Sequence, residues 1–127
     1  MSKTPLRLGN LQLQILQVLW DQGPATVTEV QQRLPEGHGL AYTTVATMLR
    51  KMEARRLVTH EVQGRRFIYQ AAVPAEDVTR SMAGDLLDRL FEGSLADMVS
   101  HLLSTREVSR DELSRLESLI AARKKRP

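Results

Sequence analysis

Thr43, Ala46, Thr47, Arg50 and Lys51 are residues whose types and spacing could do chemistry together. Arg50 can offer its planar fork to two acceptors of a guanine. Threonine hydroxyls can donate or accept at a base edge or a phosphate, and a methyl such as that of Ala46 can lie against a thymine methyl. Arg65 and Arg66 follow in QGRRF, where paired cations beside a turn can lie on a sugar–phosphate backbone or enter a narrow minor groove. Taken alone, Arg50 and Lys51 would be an ordinary solvated helix face and QGRR a polar hairpin. Their conjunction points to double-stranded DNA.

Such a set acts together only if a helix presents it. Ala41, Val45, Met48, Leu49 and Met52 recur at intervals of three and four, which places them on one side of a helix over 41–55 as its core face. Thr43, Ala46, Thr47, Arg50, Lys51 and Ala54 then face the other way, and none is a large apolar residue. Upstream, Leu11, Ile15, Leu16, Val18, Leu19 and Trp20 mark a first helix that Gly23 and Pro24 stop. Thr26 and Glu29 have capping-box spacing and predict a short second helix from about Val27 to Arg33. Pro35, Gly37 and Gly39 break the chain before the third helix.

Leu57–Val62 and Arg66–Ala71 are short β-prone runs joined through Gln63, Gly64 and Arg65, a hairpin with glycine in its turn. Helices followed by a hairpin make a winged helix-turn-helix. The loop from Leu34 to Leu40, longer than the turn of a minimal helix-turn-helix, favours the winged variant. The fold class is therefore mainly α with a small β-hairpin wing, in a winged-helix DNA-binding domain over 1–73 and a three-helix dimerisation region with a basic tail over 74–127.

After Pro74 the pattern is wholly helical. Val78, Met82, Leu86, Leu87, Leu90 and Phe91 form one stripe. After Gly93, Leu95, Met98, Val99, Leu102 and Leu103 form another, and a third opens with Ser109 and Glu112 at capping spacing and continues through Leu113, Leu116, Leu119 and Ile120. Short helices with full apolar stripes do not readily bury them alone. A second copy is the economical partner, because a closed two-fold dimer satisfies identical surfaces. The expected dimerisation residues are Leu87, Leu90, Phe91, Leu95, Met98, Val99, Leu102, Leu103, Leu113, Leu116 and Ile120.

Composition agrees with this division. The 127 residues carry a net charge of +3, with 42% hydrophobic and 26% charged residues. Up to residue 72 there are nine Lys and Arg against five Asp and Glu, while between 73 and 122 there are five against ten. A basic half suited to phosphate is joined to an acidic half suited to protein. The terminal run Arg123, Lys124, Lys125 and Arg126 reads as a solubilising end.

Several chemistries drop out. The chain has no cysteine, so disulfides, thiolate metal sites and cysteine nucleophiles are excluded. His38, His60 and His101 fall on a loop, a strand and a helix without metal-ligand spacing, and no metal or other cofactor is expected. Asp85, Asp88, Glu92 and Asp97 lie near the polar edges of helical stripes and read as solvated carboxylates, not an acid–base pair. No GxSxG, P-loop or GxGxxG is present, so no enzyme is expected. No apolar run approaches a membrane span and Met1–Leu8 has no signal-like segment, which predicts a cytoplasmic protein without membrane insertion.

With the residues LQILQVLWDQGPATVTEVQQRLPEGHGLAYTTVATMLRKMEARRLVTHEVQGRRFIYQAAV in view, the chain resembles the BlaI/MecI/CopY family, the penicillinase and methicillin-resistance repressors with their copper-responsive relatives. VLW at Val18–Trp20, GPATVTEV at Gly23–Val30, AYTTV at Ala41–Val45 and LFEGSLADMV at Leu90–Val99 carry the likeness, which extends over nearly the whole chain. The resemblance implies a homodimeric winged-helix repressor of palindromic operators. It places the helix contacts on Thr43, Thr44, Ala46, Thr47, Arg50 and Lys51, with Thr44 at the edge of the free face. It also implies release by a membrane-bound sensor metalloprotease that signals cleavage within the dimerisation helices. By position that bond is His101–Leu102, where the best-known members have Asn followed by Phe. The absence of cysteine excludes the thiolate copper sensing of the copper-responsive branch. Two other readings stand beside this one. In a winged-helix protein-interaction module, the small polar helix face and the wing arginines would be out of place, since aromatic anchors mark such interfaces. In a one-component regulator, the helical half would bind a small molecule, although its apolar stripes are expected to be used up by packing.

Overall fold

The computed structural model describes residues 8–35 and 39–127. Among them the elements run α1 (Asn10–Gln22), β1 (Ala25–Thr26), α2 (Val27–Arg33), α3 (Tyr42–Ala54), β2 (Val58–Gln63), β3 (Arg66–Ala71), α4 (Ala75–Phe91), α5 (Leu95–Thr105) and α6 (Arg110–Lys124). Two compact units divide the chain, Met1–Asp85 and Leu86–Pro127.

In the first unit the helices follow the apolar spacing. Ile15, Leu16, Val18 and Leu19 of α1 are buried, and Gly23 ends the helix with φ 83° while its amide donates to the Leu19 carbonyl at 3.0 Å. The capping box forms at α2: the Thr26 hydroxyl accepts from the Glu29 amide at 3.1 Å, and the Glu29 carboxylate accepts from the Thr26 amide at 2.9 Å.

Val45, Leu49 and Met52 of α3 are fully buried. Ala41, expected in the core, is exposed, because the helix begins at Tyr42 and Ala41 is the extended cap whose carbonyl accepts from the Val45 amide at 3.2 Å. Met48 is half-buried at the edge of the stripe, where its sulfur accepts from Gln12 Nε2 at 3.3 Å. At the other end, Arg56 takes φ 63°, the Arg56 amide donates to the Glu53 carbonyl and the Leu57 amide to the Met52 carbonyl, both at 2.9 Å. This is a Schellman close with arginine in the left-handed position usually held by glycine.

β2 and β3 pair antiparallel from Val58↔Ala71 to Gln63↔Arg66, and Gly64 turns the hairpin with φ 62°. The sheet has a third strand that the sequence reading lacks. β1 pairs with β3 through Ala25↔Tyr69 and Thr26↔Ile68, giving the order β1-β3-β2. A single core of α1, α2, α3 and sheet residues results, with Val78 of α4 buried in it and Met82 packed against it. The Trp20 indole N–H donates to the Val73 carbonyl at 2.9 Å, fixing the chain where it leaves the sheet. The first unit thus runs beyond Pro74.

The second unit is built differently. Ser94 caps α5 and Ser109 caps α6, each hydroxyl accepting an amide hydrogen bond at 3.1 Å from Asp97 and Glu112 respectively. Neither helix buries any residue. Two short helices and the end of a third offer too little surface to cover one another, as expected for stripes that a single chain does not readily bury alone.

Candidate nucleic-acid interface

The outer face of α3 presents Thr43, Thr44, Thr47, Arg50 and Lys51 to solvent. Arg50 Nη2 donates to the Thr47 hydroxyl at 3.2 Å, one turn back, which holds the guanidinium over the helix face. Ala46 is half-buried and packs partly on the core.

Beside this face lies a cleft of about 550 Å³. Tyr42, Ala46 and Arg50 of α3 form one wall, and Arg65, Arg66 and Phe67 of the wing form the other. Four of the residues singled out from the sequence, Ala46, Arg50, Arg65 and Arg66, thereby meet in one depression. Thr43, Thr44, Thr47 and Lys51 do not line it and stand on the outer face of the helix. Thr28 and Glu29 close the end of the cleft.

Sequence reasoning missed Tyr42, Thr28 and Phe67. Tyr42 precedes Ala46 by four residues and Arg50 by eight, so helical spacing alone carried the signal. Thr28 and Phe67 had none, because they reach the cleft through the sheet and the capping turn.

The wing is fixed to α3 from behind. His60 Nδ1 lies 2.8 Å from both carboxylate oxygens of Glu53 in the last turn of α3. The imidazole stacks on Phe67 with centroids 4.2 Å apart and 16° between planes. The His60–Glu53 contact links the hairpin to α3, while the His60–Phe67 stack joins the two strands of the hairpin.

Electrostatics follow from these contacts. The Thr26 amide foremost, then the Thr26 hydroxyl, hold the Glu29 carboxyl below its ordinary range, with Arg33 and Arg66 adding to the effect. Burial pushes the Tyr69 phenol above its usual value, and Glu53 pushes the same way.

No grouping of His, Cys, Asp or Glu among the described residues could hold a metal, and His38 lies outside them. No helix among the described residues is long and apolar enough to cross a membrane.

In the second unit the expected dimerisation residues are accessible. Leu90 is 65%, Leu95 64% and Ile120 55% exposed, and Leu102, Leu103 and Leu113 are exposed as well. Leu87, Phe91, Met98, Val99 and Leu116 are half-buried. A groove of about 800 Å³ runs between α5 and α6, lined by Leu95, Val99, Leu103, Leu113, Leu116 and Ile120 among others. The His101–Leu102 peptide bond lies within α5, and the His101 carbonyl accepts from the hydroxyls of Ser104 and Thr105 at 2.9 and 2.8 Å.

Comparison with known proteins settles the lineage. The sequence pattern described as penicillinase repressor matches residues 8–122, spanning both units. The chain belongs to the penicillinase repressor family. Within that family it is 25% identical to the penicillinase repressor of Bacillus licheniformis over 126 residues, covering 99% of this chain and 98% of the relative. It is 30% identical to the transcriptional regulator BlaI of Mycobacterium tuberculosis over 120 residues, covering 91% and 83%. The solution structure of the DNA-binding domain of the repressor BlaI superposes with a TM-score of 0.50 at 25% identity, covering 61% of this chain and 93% of that domain. Penicillinase repressor family members are DNA-binding transcriptional repressors and not enzymes, in keeping with a sequence that offers no catalytic constellation.

Proposed function

We propose that this penicillinase repressor family member acts as a homodimer on a palindromic operator, each subunit laying the 41–55 helix in a major groove and the 63–66 wing on the flanking backbone. The observation that carries the reading is the convergence of Arg50, Ala46, Arg65 and Arg66 on one cleft beside an outer face of threonines and Lys51. A two-fold dimer places its helices in successive major grooves about 34–36 Å apart, or a multiple of that. The apolar residues along α5 and α6 supply the surface for the second copy. Footprinting of the purified protein on the promoter region of its own gene tests the proposal, with two protected half-sites related by a dyad as the expected result. Arg50→Ala should weaken operator binding by roughly 1–3 kcal/mol if its fork meets a base. No protected two-fold site at low salt would sink the repressor reading and favour a protein-interaction module instead.

The release step rests on the resemblance, with one supporting feature. A protease needs an extended substrate, so a bond inside a helix is cut only after local opening, and α5 has no buried side chain to resist that opening. Exposure of this chain to a membrane-bound sensor metalloprotease should yield a fragment ending at His101, detected by mass spectrometry. An intact chain, or a cut elsewhere, removes the His101–Leu102 assignment. A ligand that released DNA from uncut dimer would favour the small-molecule regulator.

A further inference from the structure

Tyr42 is the first residue of α3 and is 52% exposed although aromatic. It lines the cleft with Ala46 and Arg50, and Thr28, also exposed, lines the same cleft from the start of α2. Among the described residues neither hydroxyl is engaged in a hydrogen bond. Successive residues turn by about 100° around a helix, so four residues advance by about 40°. Along the column Tyr42, Ala46, Arg50 the side chains therefore rotate by about 80°, from the flank of α3 towards the face that carries Thr43 and Thr47. A helix about 10–12 Å wide fills a major groove about 12 Å wide. Residues on its outer face meet the base edges, whereas residues on its flank meet the phosphate wall.

On the reading that α3 enters DNA, we propose that the hydroxyls of Tyr42 and Thr28 clasp a backbone phosphate of the DNA strand that passes through this cleft, with Arg66 supplying the charge. Tyrosine and threonine hydroxyls are common donors to phosphate oxygens and fix register without reading sequence. Glu29 is the one carboxylate lining the cleft, and it does not block this anion: its oxygens are engaged by the Thr26 amide at 2.9 Å and lie 3.7 Å from Arg33.

The test uses full-length protein with Tyr42→Phe, Thr28→Ala and both, titrated against a duplex carrying the footprinted operator and an unrelated duplex of equal length, over a series of salt concentrations. A hydrogen bond to an ionised phosphate oxygen is worth a roughly ten- to hundredfold change in Kd. Each variant should lose about that factor on both duplexes alike. The ratio of operator to unrelated affinity should stay constant. The log–log salt slope should also stay constant, because no cation that displaces counterions has been removed. Loss on the operator alone would make Tyr42 a base-reading residue and overturn the proposal, and so would unchanged binding to both duplexes. Tyr42→Phe keeps the ring on a half-exposed site, so an unaltered melting curve confirms that folding is not the cause. Failure of the wild-type chain to bind any duplex at low salt would instead overturn the DNA reading itself, before any variant is made.

Discussion

Arg56 sits where α3 hands over to the wing, with φ 63° and no glycine to make that conformation easy. A left-handed residue with a Cβ costs roughly 1–2 kcal/mol. Two backbone bonds of 2.9 Å, Arg56 to Glu53 and Leu57 to Met52, hold it there, and Leu57 and Val58 are buried immediately afterwards. Arg56→Gly removes the steric cost but gives the unfolded chain more freedom, worth about 0.4–1 kcal/mol the other way. The expected net is a stabilisation of about 0.5–1 kcal/mol. Arg56→Ala keeps the Cβ and should be nearly neutral, while Arg56→Val adds a branch and should destabilise. Urea melts followed by circular dichroism would show the midpoint rising in the order Val, then Ala with wild type, then Gly, by a few tenths of a molar for the glycine variant if m is about 1–3 kcal/mol/M. Arg56 does not line the cleft, so operator discrimination should be unchanged. A glycine variant less stable than the alanine variant would refute the strain argument.

Two further outcomes follow from the same contacts. Thr26→Ala deletes the hydroxyl that caps α2 and should cost about 1 kcal/mol of stability. Because the Glu29 pKa is lowered in the folded state, its contribution is present above the ordinary carboxylate value and fades as pH falls through the folded one. Thr26→Ala keeps the Thr26 amide, the foremost cause of that shift, and removes only the hydroxyl's share. The gap between wild type and variant should therefore narrow slightly in melts below pH 4.5, and a gap that widened there would contradict the assignment. Leu90→Asp together with Ile120→Asp places carboxylates on two exposed apolar positions of the second unit. The expected product is a monomer by sedimentation with an intact winged-helix melt, whereas an unchanged dimer would place the interface elsewhere.

The parts of the fold legible in the sequence are those whose determinants are local. The 3.6-residue repeat of Val45, Leu49 and Met52, the three-residue spacing of Thr26 and Glu29, and Gly64 between two β-prone runs each encode their own structure. β1 was not legible, because two residues carry no periodicity and pair only once β3 is in place. The cleft was half legible. Arg50, Arg65 and Arg66 stand out by charge, while Tyr42, Thr28 and Phe67 acquire their position from the packing of α3 against the sheet. The later stripes were legible as surfaces that one chain does not bury alone, and Leu90, Leu95 and Ile120 are indeed exposed.

That exposed second unit bears on how strongly the first can hold DNA. On the proposed reading one cleft and one short wing would contact a few phosphates, so a single subunit should bind a half-site weakly and with a correspondingly small salt slope. Joining two such units makes the second contact intramolecular, and the gain in overall affinity reaches roughly 10²–10⁴ without any new contact to DNA. Occupancy of the operator would then be governed by Leu90, Leu95 and Ile120, residues that touch no DNA, as much as by Arg50. The Leu90→Asp, Ile120→Asp double variant separates the two contributions. It should lose most of its operator affinity and about half of the salt slope while retaining wild-type affinity for an isolated half-site duplex. Equal losses on half-site and full operator would mean that the winged-helix unit itself had been damaged. On the proposed release step, opening of α5 would weaken operator binding by the same loss of the second copy.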